Sequence, residues 1–571
     1  MRSRRPSALA RALLAAPAAP DGPWEARVVW AVAGWLAELL PGGFGTPTPD
    51  LPAGPTTLDA LADATAELRA FELVGSPPRL RAGGGRKAAG LWYTPPAAVA
   101  PALDALPPGT LCDPACGTGH FLVAAARRRL DAGQDPAAVA ASLHGLDLDP
   151  LAIALARSRL WAALGADPAL RDVVADQVRV GDALLGPAPG QAPGPDGFDW
   201  AATWPVSARP GFDAIAGNPP FRAGRHADLP RAALFARVPT AEYQLDPYLL
   251  FLDRALRLLA PGGRAALVVP GTWLANHRAR ALRLFVLGQH RLRRVIELPA
   301  AAFDAGVEAT IAVIERDGPT PATAPVTDVA GRRIGELLFD LDDFGAPAAL
   351  ARRPSDAALL RRRFTRTVGD AAEVVRGVNP YHKSTHTPAQ IADRIHHARA
   401  PAGPAWRAEL RGRHLAPWHI AWPADAYIHY GPWLKEPRDP RFFEGPRVVV
   451  RKILGATLIA AVTEAPFVCD QSVYIVRPRA GWDPYLLLAC LHSRLVAALL
   501  RTRHQAHGAL FPQLKVAELR GAPLPPVEPD DPRAGVVAAL AREAQKVAEA
   551  GGAVGPVADR IEVLVEALYA G

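Results

Sequence analysis

The chain has 571 residues, which is enough for about three domains that each bury a core. Apolar residues make up 50% and charged residues 21% of the chain, and its 49 Gly and 59 Pro form no repeat, so it is neither a disordered nor a collagen-like protein. The net charge of +8 comes almost entirely from Arg, which permits a polyanionic partner but equally fits a GC-rich coding bias.

Cysteine usage and the first residues bear on the cellular setting. Four cysteines in a chain this long cannot form a disulfide framework, and no Cys or His residues have zinc spacing, so we expect a cytoplasmic protein with no metal site. Residues 1–20 place Arg ahead of an Ala/Leu run, as targeting peptides do, but the run is short and an ordinary helix is the preferred interpretation. No apolar stretch approaches the roughly 18 residues of a membrane span, so no membrane association is expected.

Residues 1–90 are predicted to be an N-terminal helical region. Helical periodicity is strongest over Trp24 to Leu40 and Leu58 to Leu73. From Leu91 onward, short apolar strands alternate with amphipathic helices, which is the pattern of a parallel sheet covered on both faces. The sequence therefore predicts an α/β domain over residues 91–345.

Seven strands complete this α/β domain, and the strand rhythm ends near Gly345. The predicted strands are Thr110 to Cys112, Ser142 to Leu146, Gln177 to Val180, Phe212 to Ala216, Arg264 to Val269, Arg294 to Leu298 and Thr310 to Glu315. The remaining predicted segments are a linker over residues 346–370, a mixed α/β domain over residues 371–530 and C-terminal helices over residues 531–571.

The first strand of the domain is followed by a Gly-rich loop, Asp113 to Phe121. In an open parallel sheet, ligands bind beyond the carboxyl ends of the strands. Gly117 and Gly119 allow the backbone to approach a ligand closely, and the next helix presents its N-terminal amides. Asp113 disfavours a pyrophosphate at this position. The loop instead suits a ligand with a cationic amino-acid end.

The next two strand ends also carry carboxylates. Asp147 can accept hydrogen bonds from both ribose hydroxyls, whereas Asp149 is mainly a helix cap before a proline. Asp182 can accept a hydrogen bond from an exocyclic amine, and Leu148 and Ala183 can enclose an adenine ring between them. The three loops together predict a site for a nucleoside that bears an amino acid.

The fourth strand ends in the segment Asn218-Pro219-Pro220-Phe221. Two prolines end the strand abruptly and hold the loop, so we expect Asn218 to face the crevice. Its amide oxygen and the Pro219 carbonyl can both accept hydrogen bonds from a planar NH2 group, which exposes the nitrogen lone pair. Phe221 can stack on the ring that carries this group. The segment therefore predicts methyl transfer to an aromatic amine.

These motifs resemble the class I S-adenosylmethionine-dependent N6-adenine DNA methyltransferases, particularly the TaqI-like type. The segment Leu91 to Pro96 is similar to the leading cofactor segment of that family, Asp113 to Phe121 to its Gly-rich motif, and Asn218 to Phe221 to its catalytic tetrapeptide. This motif order, with the recognition region last, is the γ order. The resemblance implies a Rossmann-like methyltransferase sheet of seven strands and S-adenosyl-L-methionine as the cofactor.

The resemblance also assigns residues to roles. The predicted catalytic residues are Asn218, Pro219, Pro220, Phe221 and Phe303, the last as the second aromatic that holds an extruded base. The predicted cofactor residues are Tyr93, Thr94, Pro95, Asp113, Ala115, Cys116, Gly117, Gly119, Phe121, Asp147, Leu148, Asp182 and Ala183.

Double-stranded DNA is the predicted partner, because an enzyme that acts on a base amino group must flip the nucleotide out of the duplex. The candidate recognition domain is the region 371–530. Between Arg441 and Arg520 it has eleven basic residues against five acidic ones, interleaved with aromatic residues, which suits phosphate and base-edge contacts. A solvated basic surface is the alternative interpretation. Other subunits of a restriction-modification or phage-defence system are further candidate partners.

Several alternative functions remain open on the sequence. Asn-Pro-Pro-aromatic motifs also occur in enzymes that methylate glutamine side chains, RNA and the N4 of cytosine. The long region after the catalytic domain argues against a glutamine enzyme, and an RNA enzyme is the main rival. A non-catalytic DNA-recognition subunit is a further alternative, although Asn218, Asp113, Asp147 and Asp182 are all present. No nuclease motif is found in residues 1–90.

Overall fold

The computed structural model describes residues 57, 59–61, 71–74, 79–82, 94–186, 198–204, 211–221, 231–242, 246–299, 309–346, 348–382, 385–453, 457–505 and 514–570. The chain divides into two units, Met1–Arg352 and Arg353–Gly571. The first unit carries the predicted α/β domain. The second carries the predicted mixed domain and the C-terminal helices.

Part of the N-terminal region is a β-hairpin. The strands β1 (Phe71–Val74) and β2 (Arg79–Ala82) pair antiparallel with each other. The prediction of a helix from Leu58 to Leu73, and of an entirely helical region 1–90, is therefore wrong at this point. The segment Gly75-Ser76-Pro77-Pro78 between the strands has the composition of a turn, which favours a hairpin at this point. The predicted helix at Trp24 to Leu40 lies outside the described residues.

All seven predicted strands are present, and they lie next to one another in one mixed sheet of ten strands. They are β3 (Leu111–Asp113), β4 (Leu143–Asp147), β5 (Val178–Val180), β6 (Phe212–Gly217), β7 (Leu259–Pro270), β8 (Arg291–Glu297) and β9 (Ala309–Glu315). Their order is β8-β9-β7-β6-β3-β4-β5. The predicted Rossmann-like α/β fold is thereby confirmed.

The sequence pattern predicted a parallel sheet, whereas the observed sheet is mixed. The strand β9 is antiparallel to both of its neighbours, β7 and β8, whereas β7, β6, β3, β4 and β5 form parallel pairs. Only residues 298–308 join β8 to β9. A connection this short suits adjacent antiparallel strands, since a parallel crossover needs a dozen or more residues and usually a helix.

Three further strands extend the sheet beyond β8. They are β10 (Thr323–Thr327), β11 (Arg333–Leu338) and β12 (Ala349–Ala351). The strand β10 is parallel to β8, and the next two pairings are antiparallel. Strands joined without helices lack the alternating rhythm that marked the other seven, so the prediction missed them. The domain boundary predicted at residue 345 is therefore too early. Instead of a linker, residues 346–370 contain the strands Ala349–Ala351 and Arg366–Thr367, the helix Pro354–Leu360 and most of the helix Val368–Ala371.

Helices surround the sheet of the first unit, and several begin at an Asp-Pro pair. At Asp135-Pro136 and Asp149-Pro150 the aspartate side chain accepts from a backbone N–H of the first turn, and the proline occupies a position that needs no N–H donor. The helices are α1 (Pro96–Asp104), α2 (His120–Asp131), α3 (Pro136–Ser142), α4 (Pro150–Ala163), α5 (Arg171–Gln177), α6 (Trp200–Thr203), α7 (Arg231–Arg237), α8 (Pro247–Leu258) and α9 (Arg280–Gln289).

The second unit is a mixed α/β structure, as predicted. Its strands are β13 (Arg366–Thr367), β14 (Ala372–Arg376), β15 (His397–Ala398), β16 (Trp406–Leu410), β17 (Leu415–Ala416), β18 (His419–Ile420), β19 (Tyr427–His429), β20 (Arg447–Arg451), β21 (Ala460–Thr463), β22 (Val468–Cys469), β23 (Val473–Pro478) and β24 (Pro523–Leu524). Its helices are α10 (Pro354–Leu360), α11 (Val368–Ala371), α12 (Pro388–Ala392), α13 (Pro484–His492), α14 (Arg494–Gln505), α15 (Val516–Arg520), α16 (Pro532–Glu549) and α17 (Gly555–Ala570). One four-stranded sheet has the order β14-β23-β20-β21, and a second has the order β15-β19-β16-β22.

The C-terminal helices pack on the first of these sheets and share its apolar core. The Gln545 side chain of α16 fastens this contact, because its Oε1 accepts from Val462 N at 2.8 Å and its Nε2 donates to Val462 O at 2.9 Å. These bonds satisfy backbone groups of the edge strand β21 that have no further strand to pair with. Residues 531–571 are thus an integral part of the second unit.

Arg447 is one of the basic residues that the sequence placed among the DNA contacts. The structure buries it completely at the start of β20. Its Nη1 donates to Gly445 O at 2.9 Å, and its Nη2 donates to Ala465 O at 2.6 Å. The guanidinium is therefore used inside the unit, and Arg447 is removed from the set of candidate DNA-binding residues.

Within the described ranges, no single helix is long and apolar enough to cross a membrane. One bent pair, Pro484–His492 with Arg494–Thr502, meets the length and composition requirements together.

His492 is a buried histidine at the end of α13. Its ring stacks on Trp418 with the ring centroids 4.0 Å apart, and its Nε2 donates to Ala460 O at 3.0 Å. Burial lowers the pKa of His492 to about 4. The folded protein therefore holds a neutral imidazole at a pH where the unfolded chain binds a proton.

We predict that acid destabilises the protein partly through this residue. Because the folded pKa is depressed, the contribution of His492 is fully present above about pH 6.5 and is lost as the pH falls towards 4. The loss is at most about 3 kcal/mol. In urea unfolding followed by circular dichroism, His492→Phe should lose less stability between pH 7 and pH 4 than the wild type. An equal change at the exposed His382, His382→Phe, should leave the wild-type pH profile, and two identical profiles for His492→Phe and the wild type would contradict the prediction.

Candidate cofactor and catalytic site

The carboxyl ends of four neighbouring strands, β6, β3, β4 and β5, meet at one edge of the sheet. The loops that follow them are the four that the sequence singled out, and direct contacts link one to the next. Cys116 N donates to Leu146 O at 2.9 Å, and Gly181 N donates to Asp147 O at 3.0 Å. The predicted residues of three cofactor loops are thereby brought together.

The two glycines of the first loop have different tasks. Gly117 has a φ of +51°, and no atom of the described residues lies within 4 Å of the position where a Cβ would stand. Gly119 has a φ of +83° and precedes α2; a Cβ there would lie 3.1 Å from the Cβ of Ala156 and 3.2 Å from its Cα. Gly119 therefore lets α2 and α4 pack closely. Phe121, in the first turn of α2, is a core residue with 1% exposure.

Asp147 connects the first two loops. Its Oδ2 accepts from Gly117 N at 2.9 Å, and its Oδ1 accepts from Asp149 N at 3.0 Å. Asp149 accepts from Leu151 N at 3.0 Å, which confirms that it caps α4. The two aspartates of one short segment thus have separate roles, since Asp147 accepts from the Gly-rich loop and Asp149 caps α4.

Asp113 is a buried carboxyl group with 1% exposure. Its Oδ1 accepts from Ala115 N at 3.1 Å. Burial, together with the nearby Asp147 carboxylate, raises the pKa of Asp113 well above its usual range. A positively charged ligand group beside Asp113 would restore the ionised carboxylate, because an opposite charge at short range favours the charged form.

The third loop is a tight turn after β5. Asp182 Oδ1 accepts from Leu184 N at 2.8 Å and from Leu185 N at 3.0 Å, so one oxygen of this carboxylate shapes the turn. Ala183 is buried, whereas Leu148 of the second loop is 38% exposed. Ala183 and Leu148 are the two apolar side chains that are predicted to enclose the adenine ring.

The structure adds a residue that the sequence did not single out. Arg254 lies on α8, is fully buried and donates through Nη2 to Leu184 O in the third loop. Burial lowers the pKa of Arg254 to about 10, although the nearby carboxylates of Asp253 and Asp182 oppose the shift. Nothing in the helical pattern of Pro247–Leu258 distinguishes this arginine from an exposed one. Its position indicates that it stabilises the third loop from the buried side.

The fourth loop places the predicted reactive segment at the end of β6. Asn218 is half-buried, and its Nδ2 lies 3.4 Å from the hydroxyl of Thr94, two residues before α1. Pro219 is buried, Pro220 is half-buried, and Phe221 is 4% exposed. The structure thus joins the leading cofactor segment to the reactive segment. Tyr93 and Phe303 lie outside the described residues.

Gly217 precedes Asn218 and allows the reactive segment to approach the cofactor loops. A Cβ at Gly217 would lie 2.8 Å from Asp113 Oδ1, closer than such atoms can stand. The end of β6 and the buried carboxyl group of β3 are therefore in direct contact. No local pattern indicates this contact, because it depends on the pairing of β6 with β3, two strands that are far apart in the chain.

We predict that Gly217→Ala lowers stability by about 1–3 kcal/mol, since the added methyl group overpacks the site. It should also displace Asp113 and weaken cofactor binding about tenfold, which corresponds to about 1.4 kcal/mol. Gly535→Ala is a matched control, because Gly535 lies inside α16 with open space around it, and it should not reduce cofactor binding. Urea unfolding and cofactor titration check both variants. Wild-type cofactor affinity in Gly217→Ala would refute the prediction.

Comparison with known families gives two matches along the chain. Residues 141–303 match the model described as Eco57I restriction-modification methylase, and residues 407–524 match the TaqI-like C-terminal specificity domain. The chain carries an Eco57I restriction-modification methylase domain and a TaqI-like specificity domain. The methylase match contains the second, third and fourth strand-end loops, and the specificity match lies entirely within the second unit.

Individual relatives are of the same kind. The chain is 26% identical over 228 residues to the type II methyltransferase M.PaeR7I of Pseudomonas aeruginosa. This match covers 36% of the chain and 35% of that protein. It is 25% identical over 458 residues to the type II methyltransferase M.TthHB8I of Thermus thermophilus, which covers 75% of the chain and 90% of that protein. The first of these matches therefore spans only about a third of the relative's length. The structure of the type IIL restriction-modification enzyme MmeI in complex with DNA shares the fold, with a TM-score of 0.50 and 13% identity over 82% of the chain and 70% of MmeI.

S-adenosyl-L-methionine is the cofactor expected of such a methylase domain, and the strand-end residues fit it. The buried Asp113 suits a ligand with a cationic amino-acid end, and the space over Gly117 allows close backbone approach. Asp147 is the carboxylate at the second strand end, where a ribose is bound in folds of this kind. The donor set of these loops thus matches an amino acid joined to a nucleoside.

Proposed function

We propose that this chain is a site-specific DNA methyltransferase that transfers a methyl group from S-adenosyl-L-methionine to the N6 of adenine. Its proposed role is that of the modification enzyme of a restriction-modification or phage-defence system. The observation that carries the proposal is the position of Asn218, which stands at a strand end beside the Thr94 hydroxyl and next to Gly217, whose backbone touches the buried Asp113. The TaqI-like specificity domain of the same chain supports double-stranded DNA as the substrate. Further subunits of the defence system are additional candidate partners.

Three carboxylates hold the cofactor in this proposal. Asp113 binds the cationic amino-acid end, Asp147 accepts from the ribose hydroxyls, and Asp182 accepts from the exocyclic amine of the adenine ring. Asp182 Oδ1 already accepts from two backbone N–H groups, so its Oδ2 is the atom assigned to that amine. The bound cofactor supplies an electrophilic methyl group attached to a sulfonium centre.

The reactive segment positions and activates the target amine. Because Asn218 Nδ2 is directed to Thr94, its Oδ1 is the amide atom that accepts a hydrogen bond from the substrate NH2 group. The Pro219 carbonyl accepts the second hydrogen bond. Two acceptors draw the planar nitrogen towards tetrahedral geometry and expose its lone pair. This electrostatic arrangement is aimed at the transition state, where such interactions have their largest effect.

The target base must leave the duplex before it can reach Asn218. Unstacking costs a few kcal/mol, and stacking on an aromatic ring returns roughly 1 to 3 kcal/mol per base. Phe221 supplies one ring beside Asn218, and Phe303 is proposed as the second. Two rings can therefore offset the cost of extrusion.

The proposal is tested by methyl transfer from labelled S-adenosyl-L-methionine to purified substrates. The full chain is incubated with plasmid DNA, with synthetic duplexes and with structured RNA, and the methylated nucleosides are identified by mass spectrometry. We expect N6-methyladenine in DNA at one short recognition sequence. Sequencing of modified adenines in a host, with and without the protein, then gives the sequence itself.

Other outcomes of the same experiment would overturn the proposal in defined ways. Label in RNA alone would assign the chain to RNA methylation, and N4-methylcytosine in DNA would change the target base. DNA binding without any methyl transfer, in the presence of the cofactor, would indicate a recognition subunit without catalytic activity.

A further inference from the structure

A basic groove lies in the second unit, at one end of the four-stranded sheet β14-β23-β20-β21. It has a volume of about 520 Å3. Val374 of β14, Tyr474 of β23 and Leu514 form part of its apolar surface. Five basic side chains line it: Arg376, Arg438, Lys452, Lys515 and Arg520.

The basic groove has a clear excess of positive charge. No Asp or Glu is among the lining residues that the structure describes. Outside it, the Oε2 atom of Glu436 accepts from both Arg376, at 3.0 Å, and Arg438, at 2.7 Å, so that one carboxylate serves two guanidinium groups. Glu518 lies 3.9 Å from Lys515 Nζ. Five cations thus have two nearby carboxylates, which leaves the groove strongly positive.

Lys452 and Arg520 contribute charge that no carboxylate neutralises among the described residues. Arg520 donates through Nε and Nη2 to the neutral carbonyl of Val374, at 3.2 and 2.8 Å. Lys452 is half-buried directly after β20, and no ion pair involves it in the part of the chain that the structure describes. Coulomb attraction to an anion is stronger beside a partly desolvated cation such as Lys452 than at an open surface.

The groove is held in shape by bonds between the segments that build it. Leu514 N donates to Lys452 O at 2.9 Å, and the Tyr474 hydroxyl donates to Leu514 O. Arg438 Nε donates to Arg376 O at 2.9 Å. Cations on a preorganised framework lose less conformational freedom on binding an anion than cations on mobile loops.

The chemistry of the lining favours phosphate groups over the edges of adenine and cytosine. A site that reads adenine or cytosine needs side-chain acceptors such as Asn, Gln, Asp or Glu. Within the described part of the chain, none of these residue types lines the basic groove. Arginine and lysine with an apolar surface between them suit the backbone phosphates of a nucleic acid, which position the protein without specifying sequence.

We propose that the basic groove binds backbone phosphates of the DNA substrate and contributes affinity but not sequence choice. The assignment rests on the proposed function, because it takes DNA as the partner. It identifies which basic residues of the recognition domain contact phosphate, and it separates them from those that read bases.

The test uses the full chain with two substitutions, Lys452→Gln and Lys515→Gln. Neither side chain donates a hydrogen bond to another described residue, so the variant is expected to fold. The matched control is Lys546→Gln with Arg560→Gln, which removes the same charge from exposed positions on α16 and α17. Circular dichroism and thermal melting verify the fold of both variants.

DNA binding is measured by fluorescence anisotropy as a function of salt concentration. The probes are one duplex that contains the recognition sequence and one random duplex. We expect the groove variant to bind both duplexes about 10- to 100-fold more weakly at 0.1 M salt. The slope of log K against log salt should fall by about 2, since each phosphate contact contributes about 0.9. The control variant should keep the wild-type slope and the wild-type affinity for both duplexes.

Two results would overturn the proposal. One is an unchanged salt slope in the groove variant, and the other is a loss of affinity confined to the recognition duplex, which would make the groove a base-reading site. The random duplex separates this test from that of the proposed function. A salt slope that falls as expected, in a protein that methylates no DNA, would support the groove while refuting the methyltransferase assignment.

Discussion

Asn218→Ala should abolish most methyl transfer while leaving DNA binding intact. We expect the single-turnover rate to fall by roughly two to three orders of magnitude, the effect of removing one preorganised polar group that acts in a transition state. The substitution removes both the contact with Thr94 and the acceptor for the substrate amine. The measurement is single-turnover transfer of labelled methyl groups to a duplex that contains the recognition sequence.

The chain offers a matched control for this variant. Asn379 also precedes a proline, in Asn379-Pro380-Tyr381, but lies in the second unit. Its backbone forms a bridge with Glu436, and that bridge survives a change of side chain. Asn379→Ala should therefore transfer methyl groups at close to the wild-type rate. If Asn218→Ala were as active as Asn379→Ala, the catalytic assignment would be wrong.

Asp147→Ala should weaken cofactor binding by about two orders of magnitude. Two charge-assisted hydrogen bonds to backbone N–H groups are lost, from Gly117 and Asp149, and each is worth about 1.5 to 3 kcal/mol. The proposed ribose contacts are lost with them. A tenfold change in affinity corresponds to about 1.4 kcal/mol, so the expected loss exceeds the error of a calorimetric titration with S-adenosyl-L-methionine.

Asp149→Ala distinguishes a cofactor residue from a helix cap. Asp149 accepts from Leu151 N at the start of α4, so its loss should cost about 1 kcal/mol of stability. Cofactor affinity should stay within a few-fold of the wild type. Equal losses of affinity in Asp147→Ala and Asp149→Ala would contradict the assignment of the ribose to Asp147 alone.

Local sequence signals were sufficient for the core of the first unit. Each of the seven predicted strands overlaps an observed one, because buried strands of a parallel sheet are continuous apolar runs bounded by helices. The prediction missed β10, β11 and β12, since their pairings depend on neighbours elsewhere in the chain. It also missed the reversal of β9, which follows from its insertion between β7 and β8.

The candidate site was predictable at the level of residue types and strand ends. Asp113, Asp147 and Asp182 each follow a strand, and the rule that ligands bind at the carboxyl ends placed them on one edge. The sequence did not provide the contacts between loops. Asp147 accepts from Gly117 N, and Gly217 leaves no room for a side chain beside Asp113. Both contacts depend on distances between strands that are far apart in the chain.

Charge gave the least reliable guidance, because a basic residue has the same sequence signature whether it is buried or exposed. Arg447 and Arg254 are internal and bond carbonyl groups, whereas Lys452 and Lys515 line an open groove. The basic residues that produce the net charge of +8 therefore include internal arginines as well as cations that line a groove.

The sequence by itself determined the fold class and the chemistry of the strand ends, because glycines, prolines and apolar periodicity act over a few residues. The tertiary structure alone decided which side chains meet. Arg376, Lys452 and Lys515 converge on one groove from three separate segments, and Thr94 contacts Asn218 from the segment that precedes α1. Such contacts depend on the packing of segments that are distant in the chain. No local sequence pattern encodes the geometry of that packing.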